Sequence, residues 1–415
     1  MSLSKSYGGG PPGGLREEPH SIVRSVMLDR IDCVVVGAGV VGLAVARALA
    51  LAGREVVVIE ANPWIGNETS SRNNEVIHAG FLYPPGSLKA RLCRPGSDQL
   101  YAYCESAGVA FRRIGKLMPA ASEAEIDALR RFIERGRANG VSDLQLLDRA
   151  AARDLEPRLE CRAALYSPST GIIDSHGLML RLEAEAERHD ATIALRSKVT
   201  AGEITDDGFV LDVESLGGES YRLGCDVLVN AAGLGARAFA VALAGFPPER
   251  VPRLYYAKGC FYALTGPPPF RHLVVPMGKA LTDSGGFTLD LAGYGKFGPD
   301  RVEWVEDRDY SVAPDRAAAF AGGIRTYYPE LDERRIHPSY AGIRPGISPG
   351  DPLGDWVIEG PAQHGIENLV HMFAIESPGL TASLALADYV LDALKPALLD
   401  SSRKLNVEST PQSLV

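Results

Sequence analysis

Residues 33–42 read Cys33-Val34-Val35-Val36-Gly37-Ala38-Gly39-Val40-Val41-Gly42, an apolar run closing on a G-x-G-x-x-G fingerprint. Behind it come LAVARALALAG (43–53), an Ala/Leu-rich helical pattern ended by Gly53, and EVVVIE (55–60), a second strand ending at Glu60. Gly37 permits the tight turn, Gly39 lets a pyrophosphate approach the backbone, and Gly42 lets the helix pack on the strand. The helix start, at Val40 and Val41, turns backbone N–H groups and the positive end of its dipole toward phosphates. Glu60 lies 18 residues past Gly42, where a carboxylate can accept hydrogen bonds from both hydroxyls of an adenosine ribose. A lone G-x-G-x-x-G is weak evidence. Strand, loop, helix, strand and acid in this order predict a dinucleotide site.

The chain of 415 residues is long enough for two domains with their own cores. Apolar content of 46% and charged content of 23% are those of an ordinary globular protein. The net charge of −9, without a dense Lys/Arg block, argues against nucleic acid as a partner. Six cysteines without C-x-x-C or His/Cys spacing argue against a zinc site and a disulfide framework, and fit a reducing compartment. Residues 1–30 lack the apolar core of a secretory signal and read as a flexible tail, with Met27 a plausible natural start. No run approaches the roughly 18 apolar residues of a membrane span. The expected location is the cytoplasm, with peripheral contact to an inner membrane left open.

Glu60 is followed by a long polar loop, ANPWIGNETSSRNNEVIHAGFLYPPGS, and ordered loops of this length are usually functional. It supplies Ser70, Ser71, Asn73 and Asn74 as candidate cofactor contacts. Helices are expected near Leu88, after the Ser122–Glu125 capping box, and after N-cap candidates Asp148 and Ser175. From Thr192 the period becomes two, predicting short strands with turns at Asp207-Gly208 and Gly217-Gly218; Val199 closes the first and is a further candidate contact. CDVLVNAAGLGARAFAVAL then reads as a buried strand entering a helix, a return to the nucleotide-binding sheet. Residues from about 250 to 337 are rich in Pro, Gly and strand-like runs. The expected architecture is α/β. A discontinuous Rossmann-like dinucleotide-binding domain takes 31–80, 148–245 and 338–396. A smaller α+β substrate domain with a mostly antiparallel sheet takes 81–147 and 246–337, and 397–415 form a tail.

A nicotinamide enzyme would use the same fingerprint, but here the cofactor domain keeps contributing pieces late in the chain, as a long two-ended ligand such as FAD requires. Asn230-Ala231-Ala232-Gly233 sets minimal side chains at a strand end, where backbone can approach a cofactor. Ser377-Pro378-Gly379-Leu380-Thr381 reads as a helix opening with Pro at its first position, its dipole able to stabilise negative charge on a reduced flavin.

These residues resemble the D-amino-acid oxidase superfamily of FAD-dependent oxidoreductases, and within it the L-2-hydroxyglutarate dehydrogenase/oxidase group. The resemblance covers about residues 31 to 396. It is carried by NEVIHAGFLYPPGSLKARLC, with GKLMPA, STGIID, FGPD and LVHMFAIESPGLTAS in support. It implies FAD as cofactor and oxidation of a small 2-hydroxy acid, with His78 and His371 near the flavin. Such a reaction needs a hydride to reach flavin N5 while a base takes the hydroxyl proton, and histidine, with an unperturbed pKa of about 6.5, suits that task. Arg344 matches the superfamily's strand-end arginine and is the candidate for the substrate carboxylate and for contact with the cofactor; Lys258 and Lys89 are candidates for a second carboxylate.

The chain departs from the group at Glu75, which stands in place of Gly, at Gly286, where many members carry His, and at the acidic Glu376. These changes bear on the exact substrate more than on the reaction class. An amino- or imino-acid oxidase on the same fold and a non-catalytic, redox-responsive FAD-binding interaction protein are the alternatives. The electron acceptor, whether oxygen, a quinone or a protein, is left open, as are oligomeric state and covalent attachment of the flavin.

Overall fold

The structure, a computed structural model, describes residues 29–300, 303–347 and 354–394. Met27 and the C-terminal tail lie outside these residues. Asp29 and Arg30, expected in the N-terminal tail, instead begin the first strand, Asp29–Val36.

That strand is buried on both faces because every residue of its second half is apolar. Cys33 and Val35 join one core cluster, Val34 and Val36 another. Side chains alternate across a strand, so a continuous apolar run satisfies two layers at once. The strand lies between Ser220–Asn230 and Val56–Ile59, parallel to both. Leu369–Phe373 adds in parallel beyond Asn230, and Thr192–Ala194 beyond Ile59. An antiparallel meander of Ser197–Thr205, Gly208–Ser215 and Ser220–Asn230 extends the sheet. The CDVLVN run, expected to begin a strand of its own, continues one that starts at Ser220. Helix Val40–Leu51 is rich in Ala, and its buried small side chains let it lie close to the sheet. A Cβ on Gly42 would stand 1.9 Å from Gly37 O, so only Gly fits there.

The second sheet is mostly antiparallel and runs through Lys116–Ala120, Ala163–Ser167, Tyr255–Leu264, Gly286–Leu289 and Gly295–Gly298. Two strands assigned by sequence to the dinucleotide-binding part pair here instead. Ala163–Ser167 bonds Lys116–Ala120, and Ile336–Gly346 bonds Tyr255–Leu264 along its length. Both are antiparallel partners of segments distant in sequence, which local periodicity does not specify. A small antiparallel sheet of Val76–Ile77, Gly171–Ile173 and Phe111–Arg112 sits apart from the two large ones.

The Ser122 and Asp148 caps form as expected, accepting from Glu125 N at 3.3 Å and Ala151 N at 2.8 Å. The helix Ser175–Arg188 is capped one residue earlier than expected, by Asp174, which accepts from Gly177 N at 2.8 Å. Ser175 Oγ is thereby free to bond Glu75. All six cysteines are buried thiols.

Candidate functional site

A cavity of about 700 Å³ opens where the parallel strands end. One end is walled by Gly37, Gly39, Val40, Val41 and Glu60, the other by His78 and the Glu376–Thr381 turn. Between them lie Ser70, Asn73, Asn74, Val199, Ala231, Ala232 and Gly233. Strands separated by more than 300 residues of chain thus build one elongated site.

At the first end the backbone is bare. Gly37 has φ of 103° and donates its N–H to Ile59 O at 2.8 Å; a Cβ there would meet Ala231 O at 2.7 Å. Gly39 caps the helix without a side chain, leaving the N-terminus to a ligand's phosphates. Ser70 Oγ accepts from Val40 N at 3.0 Å. Glu60 is buried; one carboxylate oxygen accepts from Ala38 N and the other from Asn62 N and Nδ2, each at 2.8 Å. These bonds fix the carboxylate at the cavity wall. Gly42 and Ser71, also expected as contacts, do not line the cavity. Gly42 packs against Gly37, and Ser71 Oγ turns away to donate to Gly66 O at 2.6 Å.

At the other end the helix spans 383–394, and Pro378–Ala382 form a turn leading into it rather than its first residues. Gly379 N donates to Glu376 O at 2.7 Å, closing the turn before the helix begins. Thr381 Oγ1 accepts from His78 N at 3.1 Å and donates to Val76 O at 3.2 Å, tying the His78 loop to this turn. His78 Nε2 is 3.2 Å from Ser377 Oγ. Burial, followed by the charges of Lys116 and Arg344, lowers the His78 pKa to about 3, so its ring is neutral at pH 7. Tyr83 is buried beside Cys93, and burial raises its phenol pKa, keeping it protonated.

Arg344 does not reach the cavity wall itself but lies 3.6 Å from Glu376, which does. Glu376 is also held by Lys89, which is 1% exposed. Lys89, Glu376 and Arg344, three residues noted separately in the sequence, are therefore one cation–carboxylate–cation chain.

Lys258 is elsewhere. In the paired strands Ala257 stands opposite Arg344 and Lys258 opposite Ile343, so Lys258 points from the other face. Its Nζ bonds Asp309 at 2.6 Å. His371 is also outside the cavity wall. It is fully buried, within 2.9 Å of Asn230 Nδ2 and packed against Phe246 and Phe373. Burial lowers its pKa to about 3. An apolar strand buried on both faces leaves such a histidine no opening to the cofactor side. Because the folded protein resists protonating His371 while the unfolded chain accepts a proton near pH 6.5, its contribution to stability is intact above that pH and lost as pH falls toward 3. Urea unfolding at pH 7.5 and 4.5 is expected to show His371→Gln losing about 2–3 kcal/mol less than wild type between the two. Equal losses would refute this.

Glu75 keeps the left-handed backbone natural to Gly, with φ of 57°. Its carboxylate accepts from Ser175 Oγ at 2.7 Å and Ser175 N at 3.2 Å, at the start of a helix, which offsets the cost. Gly286 is closely packed: a Cβ would lie 2.9 Å from Val275 Cγ2. Asn62, Ser377 and Arg308 also line the cavity and were not singled out by sequence. Ser377 stood inside a quoted motif; Arg308 carries no local signal at all.

The family profile described as DAO, FAD dependent oxidoreductase, matches residues 32–393. The mitochondrial L-2-hydroxyglutarate dehydrogenase of Arabidopsis thaliana is 41% identical over 88% of this chain and 84% of its own length. That of Pongo abelii is 27% identical over 90% and 89%. Among solved structures, the FAD-bound, dithionite-reduced L-alpha-glycerophosphate oxidase of Mycoplasma pneumoniae superposes with a TM-score of 0.78 at 23% identity, covering 89% of this chain and 95% of that one. Glycine oxidase of Geobacillus kaustophilus gives 0.73 at 21%, with the same coverage. The elongated cavity, the bare glycine floor and the glycine at the helix start suit FAD.

Proposed function

The chain belongs to the family of FAD-dependent oxidoreductases and binds FAD, and from that premise we propose that it oxidises L-2-hydroxyglutarate, or a close 2-hydroxy acid, to the 2-oxo acid. The observation that carries this reading is the charge around His78. Lys116 and Arg344 both act on His78, and Glu376, on the same cavity wall as His78, already has Lys89 as a partner besides Arg344, which leaves positive charge suited to a dianion. The 41% identical relative bears the name of the same activity.

In the proposed reaction the parallel sheet carries the cofactor and the face of the second sheet bearing Arg344 carries the substrate. FAD supplies the hydride acceptor, flavin N5. Arg344 pairs with the carboxylate next to the reacting carbon and fixes its orientation, exchanging Glu376 for the substrate. Glu376 keeps Lys89 as partner during that exchange. His78, neutral before substrate arrives, takes the hydroxyl proton on Nε2, with Ser377 and Thr381 holding the loop in place.

No described helix is long and apolar enough to cross a membrane. A cytoplasmic location is part of the proposal, although the relatives named above are mitochondrial by name; cell fractionation distinguishes the two.

The deciding experiment is anaerobic mixing of the purified holoenzyme with a panel of acids while flavin absorbance is followed. L-2-hydroxyglutarate is expected to bleach the flavin. Bleaching by glycine or L-proline instead would favour the amino- or imino-acid reading. A flavin that no small carboxylate reduces would favour a binding protein. Reoxidation with oxygen or a quinone then identifies the electron acceptor.

A further inference from the structure

Lys116 opens the strand Lys116–Ala120 and is 3% exposed. Its ammonium stands over the Phe81 ring, 4.6 Å from the centroid. Phe81 belongs to the same loop as His78, and Cys93 Sγ donates to His78 O at 3.7 Å. That thiol, also close enough to act on the lysine, is protonated and neutral because burial raises its pKa to about 12. The other buried or half-buried lysines among the described residues face acids: Lys89 faces Glu376, Lys258 faces Asp309, and Lys296 faces Glu75 and Asp290. Lys116 has no carboxylate partner among the described residues. A buried ammonium without a counter-charge is costly, and such groups are normally paired. Burial lowers its pKa only to about 8, so at pH 7 it remains a cation. The missing anion is therefore expected from outside the chain.

We propose that Lys116 anchors the second carboxylate of a dicarboxylic substrate, while Arg344 holds the carboxylate beside the reacting carbon. Lys116 touches Phe81 of the His78 loop, and the charges of Lys116 and Arg344 both act on His78, so both cations are near enough to the proton acceptor to be felt there. A substrate bridging them places its hydroxyl between its two carboxylates, at His78. The Phe81 face favours the charged lysine without neutralising it, leaving its hydrogen bonds for the ligand. This assignment rests on the hydroxy-acid reading of the site and adds to it the residue that selects dicarboxylates over monocarboxylates.

The test compares holoenzyme with Lys116→Met and Lys116→Gln. Oxidised flavin absorbance is titrated with glutarate and with butyrate, neither of which carries a hydroxyl to oxidise. Flavin reduction is then measured with L-2-hydroxyglutarate and L-2-hydroxybutyrate. Wild type is expected to bind glutarate more tightly than butyrate. Both variants should lose glutarate affinity by about 30-fold or more, while butyrate affinity stays within about twofold and FAD content is unchanged. The dicarboxylate-to-monocarboxylate ratio is internal to each protein, so partial loss of folded enzyme does not imitate the effect. A wild type that prefers glutarate, with the preference intact in both variants, would overturn the Lys116 assignment alone. Equal weakening of both acids would do the same. A wild type without that preference, reduced by neither hydroxy acid, would overturn the hydroxy-acid reading with it.

Discussion

His78→Ala holoenzyme is expected to reduce its flavin on the order of 10²–10⁴ times more slowly than wild type with the same saturating hydroxy acid. The argument starts from position. His78 lines the cavity at the end formed by the Glu376–Thr381 turn, with its backbone bonded to Thr381 and its ring to Ser377. Its depressed pKa, about 3, keeps it unprotonated before substrate binds. An arriving dianion offsets the Lys116 and Arg344 charges that help to lower it, so the pKa rises in the complex and the base strengthens when needed. The sign of the pH effect follows: flavin reduction should accelerate as pH rises through the His78 pKa of the complex, because only the neutral ring accepts the proton. In the alanine variant that limb should vanish. Reoxidation involves no such proton removal from substrate and should stay near normal. Stopped-flow absorbance separates the two half-reactions, and unaltered reduction in His78→Ala would remove the residue from proton transfer.

Arg344→Lys should fail in binding. The guanidinium presents a planar fork to a carboxylate, which one ammonium cannot reproduce. Disrupting one partner of a desolvated charge pair costs about 2–5 kcal/mol, a loss of about 30-fold or more in affinity. The shorter reach of lysine also leaves Glu376 on Lys89 alone, which keeps that carboxylate fixed but less closely neutralised where the substrate must bind. Titration of oxidised flavin with the acid measures the loss directly. The reduction rate at saturation should fall less than the affinity, since His78 is untouched. Undiminished affinity would leave the carboxylate without its assigned partner.

Much of the nucleotide end was legible because its determinants are local. Gly37, Gly39 and Gly42 occupy positions where added Cβ atoms would meet backbone or Ser70, and Glu60 follows the second strand directly. Turn geometry, helix start and strand end all lie within 28 residues of sequence, from Cys33 to Glu60. The order of later pieces was legible for the same reason. Asn230-Ala231-Ala232-Gly233 announces a strand end by composition, whereas Ser377–Thr381, read as a helix opening, is a turn that leads into the helix.

What tertiary structure alone decided is which side chains meet. Lys258 and Arg344 both stand on strands near the site, but antiparallel register puts them on opposite faces, and a change of one residue in register would reverse that. His371 carries the same chemistry as His78, yet its strand lies buried in the parallel sheet, where the ring meets Asn230 and phenylalanines instead of the cavity. Glu376, Lys89 and Arg344 come from three distant segments, and only packing makes them one charge system. Sequence alone determined where the backbone could cradle a dinucleotide, because that depends on a few adjacent residues. The fold decided the electrostatics of the other end, because burial and the pairing of distant strands set which charges face each other.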